Sequence, residues 1–144
     1  MLRRWFFIPD DRVLWAPFAL VRSLRVIREG KYDLIWVGAP PYSAGVIGYL
    51  VSRMSGLPLV VDLRDPWTSD PYFQSPSAIH RWLNRAFERR TLMHARKVVV
   101  ISNEMKRNLL RSYNGFPESK IEVITNGFDS EEMAKVEPAP TGED

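Results

Sequence analysis

The sequence predicts an α/β fold, a doubly wound layer of parallel strands joined by crossover helices. Three observations carry that reading. Four short apolar runs, at residues 33–38, 58–62, 97–101 and 120–124, have the length and β-branched content of buried strands. Between them lie stretches whose apolar residues recur at helical spacing. Each run ends in polar or turn-forming residues, so helix and strand alternate in the order that a parallel sheet requires.

The elements follow from the chain in order. Residues 1–15 show no clean period, and Ile8-Pro9-Asp10-Asp11 is turn chemistry, so irregular structure is expected there. From Ala16, the positions Leu20, Val21, Leu24 and Ile27 predict a helix over 16–29, with Pro17 in its first turn and Gly30 at its stop. The run Asp33-Leu34-Ile35-Trp36-Val37-Gly38 predicts the first strand, and Pro40-Pro41 prevents its continuation. A helix over 44–55 is predicted from Val46, Ile47, Leu50, Val51 and Met54, and Gly56 closes it. Gly45 and Gly48 fall inside that helix, where close helix packing explains them better than phosphate binding.

The second strand, 58–62, delivers the segment Asp62-Leu63-Arg64-Asp65-Pro66-Trp67 at its carboxyl end. A long polar loop follows, of a kind more often functional or mobile than a plain connector. A helix over 77–95 comes next. Its predicted buried stripe is Ile79, Trp82, Leu83, Ala86, Phe87 and Met93, and its solvated face Arg81, Arg85, Glu88, Arg89 and Arg90. Lys97-Val98-Val99-Val100-Ile101 is the third strand, Ser102 caps a helix to about Ser112, and Lys120-Ile121-Glu122-Val123-Ile124 is the fourth strand, ending at Asn126-Gly127. Residues 130–144 hold two prolines and many charges and are expected to be a linker or loose acidic tail after a domain spanning 1–129.

Size and composition bound the function. A chain of 144 residues with 45% hydrophobic content supports one core. Cysteine is absent, which removes disulfides, thiolate metal sites and thiol nucleophiles and fits a reducing compartment. The two histidines, His80 and His94, have no metal-ligand spacing, so no metal is expected. The net charge is +3, with arginines interleaved among Trp5, Phe6, Phe7, Trp15 and Phe18 at the front and acidic residues dominating after 118. No run is long enough for a membrane span or a signal-peptide core, so a cytoplasmic location is expected.

In a parallel sheet, ligands sit outside the carboxyl ends of the strands. The expected rim therefore comprises Pro41, Tyr42 and Ser43 after the first strand, Arg64, Asp65 and Trp67 after the second, Ser102 and Glu104 after the third, and Asn126, Gly127 and Asp129 after the fourth. Arg64 and Asp65 suit hydroxyl or phosphate groups, Trp67 suits stacking on a sugar, and Asp65 suits a base. The alternative is that Arg64 and Asp65 only pair with each other and cap a helix. No Gly-rich phosphate loop and no G-x-S-x-G elbow occurs, which disfavours an ordinary ATP or dinucleotide enzyme and a hydrolase triad.

The ordered set Tyr32-Asp33-Leu34-Ile35, Pro40-Pro41-Tyr42-Ser43-Ala44, residues 56–67, residues 95–105 and residues 120–129 resembles the amino-terminal domain of family-4-like glycosyltransferases. These are retaining enzymes with two facing Rossmann-like domains, the GT-B architecture. The resemblance implies a Rossmann-like sheet that recognises a glycan or lipid-linked acceptor, often in cell-envelope polysaccharide biosynthesis. It implies that a second domain binds the nucleotide-sugar donor, and that no cofactor or metal is needed. It places the Arg64-Asp65 turn at the cleft, with Arg64 where many relatives carry histidine, Ser102 and Glu104 on the same rim, and Asn126-Gly127-Phe128-Asp129 leading to the interdomain linker.

Neither the family's first strand with its Gly-rich turn nor its donor domain with paired glutamates is found in these residues. Because the developing charge of sugar transfer must be stabilised by preorganised groups drawn mainly from the donor half, the chain is expected to be inactive alone. The rival expectation is a non-catalytic module binding a glycan, an anionic lipid or a protein. Peripheral contact with the inner face of a membrane through Arg3, Arg4, Trp5, Phe6 and Phe7 is a further expectation. Nucleic-acid binding is disfavoured, since no recognised motif accompanies the basic front.

Overall fold

Four strands, β1 (Ile35–Ala39), β2 (Leu59–Leu63), β3 (Lys97–Val100) and β4 (Ile121–Val123), lie side by side in sequence order and are all parallel. They come from a computed structural model that describes residues 3–69 and 75–127. Asp129 and the acidic tail lie outside the described residues. Ala39 registers with Leu63, Leu63 with Val100, and Val100 with Val123, so the four carboxyl ends reach one rim, as the alternation of elements predicts.

The helices are α1 (Arg3–Phe6), α2 (Ala16–Glu29), α3 (Tyr42–Ser55), α4 (Ala78–His94) and α5 (Asn103–Ser112). Local signals set their ends. Ser77 accepts from His80 N–H at 3.4 Å, and Ser102 accepts from Met105 N–H at 3.1 Å, so each hydroxyl satisfies an orphan donor at a helix start. Gly56 closes α3 in the left-handed region, with φ 78°, while its N–H donates to Ser52 O. The first residues are less irregular than expected, since α1 and a short 3-10 turn at Val13–Trp15 occupy them.

The core is one cluster on one side of the sheet. Ala39, Leu59, Val61, Leu63, Val98, Val100 and Ile121 meet Leu92 from α4 and Met105 and Leu109 from α5. Gly48 lets α3 sit on the same side: a Cβ there would lie 2.6 Å from Val37 Cγ1 and 3.2 Å from Leu59 Cδ1. This agrees with the packing role expected of Gly48, whereas at Gly45 a Cβ would meet Thr91 Cγ2 at an ordinary 3.6 Å. Among the described residues, the helices of the core cluster pack on the face that carries Leu59, Val61, Val98 and Val100. Strands placed in the order of the chain and joined by right-handed crossovers carry their helices to one face. On the other face, among the described residues, Trp36 is 54% exposed and Glu122 is exposed, Val60 and Asp62 are half-buried, and Val99 at its centre is buried.

The expected orientation of α4 is corrected by the same packing. Ile79 and Trp82 are exposed, whereas Asn84, Glu88, Thr91 and Leu92 are buried. The helix turns a polar seam inward because groups from the loop after β2 hydrogen-bond to it there. Helix α3 also begins two residues before the expected start, at Tyr42 directly after Pro41.

Candidate functional site

The rim is organised by the turn that follows β2. Arg64 N–H donates to Ala39 O at 2.9 Å, continuing the ladder from β1 for one residue past the strand. Tyr42 donates its hydroxyl to Pro66 O at 2.7 Å, and its ring stacks on Trp67 with centroids 4.9 Å apart and planes 10° apart. Trp67 Nε1 donates to Asn84 Oδ1 at 3.3 Å. Thr68 gives both its N–H, at 3.0 Å, and its hydroxyl to Glu88 Oε2. Bonds to β1, α3 and α4 thus fix the backbone of the turn at Arg64, Pro66 and Thr68 and leave the side chains of its apex, Arg64-Asp65, exposed.

Trp67 is therefore not a stacking platform. It is 1% exposed, one ring face is covered by Tyr42 and its N–H is used by Asn84, so the structure places it in the core beneath the rim. Ser43 is also withdrawn from the expected rim. It is buried, its N–H donates to Asp10 Oδ2 at 2.8 Å, and Trp15 Nε1 donates to its hydroxyl at 3.5 Å. The carboxylate of Asp10 thereby occupies the amino end of α3, where the helix dipole favours an anion.

Pro41 is exposed and Tyr42 half-buried beside the apex. Arg64 Nε lies 3.5 Å from Asp62 Oδ2, with the guanidinium side chain 72% exposed, a surface pair of small stability value. Among the described residues Arg64 thus pairs with Asp62 and not with Asp65, which differs from the alternative expectation of a mutual pair. Ser102 is used as the cap of α5, whose first turn carries Glu104 out into solvent. Asn126 and Gly127 are exposed at the end of β4.

Sequence reasoning missed two carboxylates. Glu88, expected on the solvated face, is 3% exposed; burial pushes its carboxyl pKa up, opposed by the hydrogen bonds from Thr68. Beside it, the Tyr113 hydroxyl is buried without a well-formed hydrogen bond, and burial together with Glu88 pushes its pKa up. The spacing Asn84, Glu88, Thr91 marks one helix face and was the available signal. Asp10 had no comparable signal, because its partner Ser43 is distant in the chain.

Among the described residues, no group of three or more His, Asp or Glu side chains could hold a metal ion, and no helix is long and apolar enough to cross a membrane.

Comparison with known proteins agrees with this geometry. The alpha-maltose-1-phosphate synthase of Mycolicibacterium smegmatis is 26% identical over 140 residues, which cover 92% of this chain and 35% of that protein. The chain thus spans about a third of the length of this curated relative. The model of Glycosyltransferase Family 4 matches residues 2–132, nearly all of the sheet, its helices and the rim, and the chain belongs to that family.

Proposed function

We propose that the chain is the acceptor side of a retaining glycosyltransferase, which moves a sugar from a nucleotide-sugar donor to a glycan or lipid-linked acceptor. The observation that carries this reading is the tethered turn, whose apex offers one cation and one carboxylate to solvent at the carboxyl edge of a parallel sheet. Arg64 would hold a phosphate or hydroxyl of the acceptor through charge-assisted hydrogen bonds. Asp65 would accept the hydrogen of the attacking hydroxyl and keep that oxygen aligned with the anomeric carbon. Pro41, Tyr42, Glu104, Asn126, Gly127 and Asp129 would complete the acceptor edge and the approach to the donor side.

Transfer also needs groups that neutralise the departing nucleoside diphosphate. In this reading a donor-binding half supplies them, and the isolated chain does not turn over. A relative named alpha-maltose-1-phosphate synthase supports the reading as sugar transfer. The test compares sugar transfer by the chain alone with transfer when it is continued into, or mixed with, a donor-binding half. Arg64→Ala and Asp65→Asn should each slow the assembled enzyme at least tenfold, about 1.4 kcal/mol of barrier. Turnover by the isolated chain would refute the divided enzyme, and unchanged rates in both variants would refute the assigned apex.

Peripheral membrane contact is a second reading, favoured by α2. Phe18 and Val21 are exposed there next to Arg22 and Arg25, with Leu14 exposed in the 3-10 turn just before it, a surface suited to an anionic bilayer. Phe18→Glu should abolish co-sedimentation with phosphatidylglycerol vesicles; retention equal to the unmodified chain would dismiss the contact.

A further inference from the structure

At the end of the sheet opposite the rim, a groove of about 690 Å³ opens among the segments that enter β2, β3 and β4. Along β2 it lies about 16 Å from the Arg64-Asp65 apex. Its walls combine apolar groups, Leu57, Pro58, Ala95 and Pro117, with the basic side chains Arg53, His94, Arg96, Lys97 and Lys120. No acidic residue lines it.

Two of these cations already have work. Lys97 Nζ pairs with Glu122 and donates to Ser119 O at 3.0 Å, and Lys120 Nζ donates to Met93 O at 2.7 Å. The bond to Met93 leaves the Lys120 charge uncompensated. Arg53 and Arg96 are exposed, and among the described residues neither has a carboxylate partner. His94 shows the resulting field. Burial lowers its pKa first, and the charges of Arg53 and Lys120 lower it further. Ser52 uses its hydroxyl hydrogen on Leu57 O at 2.6 Å, so His94 Nε2 must donate to Ser52 Oγ at 2.8 Å. The neutral ring therefore keeps its lone pair on Nδ1, and Tyr49 packs edge-on against it, 5.2 Å between centroids.

We infer that this groove is a second binding site, independent of the sugar-transfer rim, for the phosphate or diphosphate group of a small organic molecule. Converging cations with no lining carboxylate select the anion, and the apolar wall accommodates an organic portion. The volume suits a metabolite-sized ligand. An anion seated there offsets the field of Arg53 and Lys120, so His94 takes a proton on Nδ1 more readily.

Inorganic pyrophosphate is the probe, titrated into the chain at constant ionic strength because screening acts over about 10 Å at about 0.1 M salt. The ring resonances of both histidines are followed by NMR. His80, about 21 Å away along α4 at about 1.5 Å per residue, is an internal control. The expected result is a saturable shift of His94 with a raised titration midpoint, while His80 stays unmoved. Arg53→Ala with Arg96→Ala should weaken the effect at least tenfold, with the far-ultraviolet circular dichroism of the fold retained. No saturable shift, equal shifts at both histidines, or full binding by the double variant would overturn the site. Phosphatidylglycerol vesicles form a second arm: a His94 response to vesicles but not to pyrophosphate would assign the phosphate to a lipid headgroup and overturn the soluble ligand.

Discussion

Glu88 accepts two hydrogen bonds from one residue, Thr68, through its N–H and its hydroxyl, and so links the middle of α4 to the turn that carries Arg64 and Asp65. Its folded-state pKa lies above the ordinary 4.5, mainly because burial disfavours the charged form. The native state therefore holds the proton more tightly than the unfolded chain. Stability contributed by this group is greatest below pH 4.5, falls as pH rises from there through the raised folded value, and stays low above it. Glu88→Gln should flatten that part of the pH profile in urea unfolding. Glu88→Ala strips the acceptor from two Thr68 donors and should cost about 1–3 kcal/mol for each donor left buried and unpaired.

Gly48 and Val37 share a space that holds one side chain. Gly48→Ala gains about 1 kcal/mol of helix propensity, yet its methyl would sit 2.6 Å from Val37 Cγ1. Overpacking of about 1–3 kcal/mol should prevail, so thermal unfolding shifts downward. Adding Val37→Ala should recover part of the loss, and the double-mutant cycle should give a coupling of at least about 0.5 kcal/mol.

Asp10 caps α3 from outside the helix. Asp10→Ala should lower stability by about 0.5–2 kcal/mol, the range for losing a capping carboxylate, because Ser43 N–H is left without its partner. Asp10→Asn keeps an acceptor oxygen and should retain most of the lost stability in the same unfolding assay.

Trp67 and Arg64 should separate stability from function. Trp67→Ala empties a core site beneath the turn and should cost about 3–5 kcal/mol. Arg64→Ala removes an exposed side chain and should change unfolding by no more than about 0.5 kcal/mol, while slowing transfer in the assembled enzyme. An Arg64→Ala variant that unfolds early would show that its pair with Asp62 holds the strand end together.

The elements were legible because their signals are local. Ser77, Ser102 and Gly56 mark helix ends through chemistry confined to one turn, and Val98-Val99-Val100 reads as a strand by itself. The parallel rim followed from their alternation. What a side chain meets was less legible, because it depends on lateral strand order and on the rotation of each helix. Glu88, among four arginines at 85, 89, 90 and 81, reads as surface, yet the turn after β2 supplies donors that draw it inward. Trp67 follows a charged apex and reads as exposed, yet Tyr42 and Asn84, 25 residues before it and 17 after, enclose it. The exposure of the apex is legible because Arg64-Asp65 is short, charged and next to a proline.

The one-sided dressing of the sheet divides its positions into two mutational regimes. A saturation scan should find residues 59, 61, 63, 98 and 100 closed to polar replacement, since their side chains meet the helices. Positions 36 and 122, on the bare side, should accept threonine, lysine or glutamate readily. Read down β2, tolerance should alternate with a step of two, whereas β3, where Val98, Val99 and Val100 are all buried, should resist polar replacement throughout, a signature that growth-coupled or display selection can recover without any knowledge of the ligand.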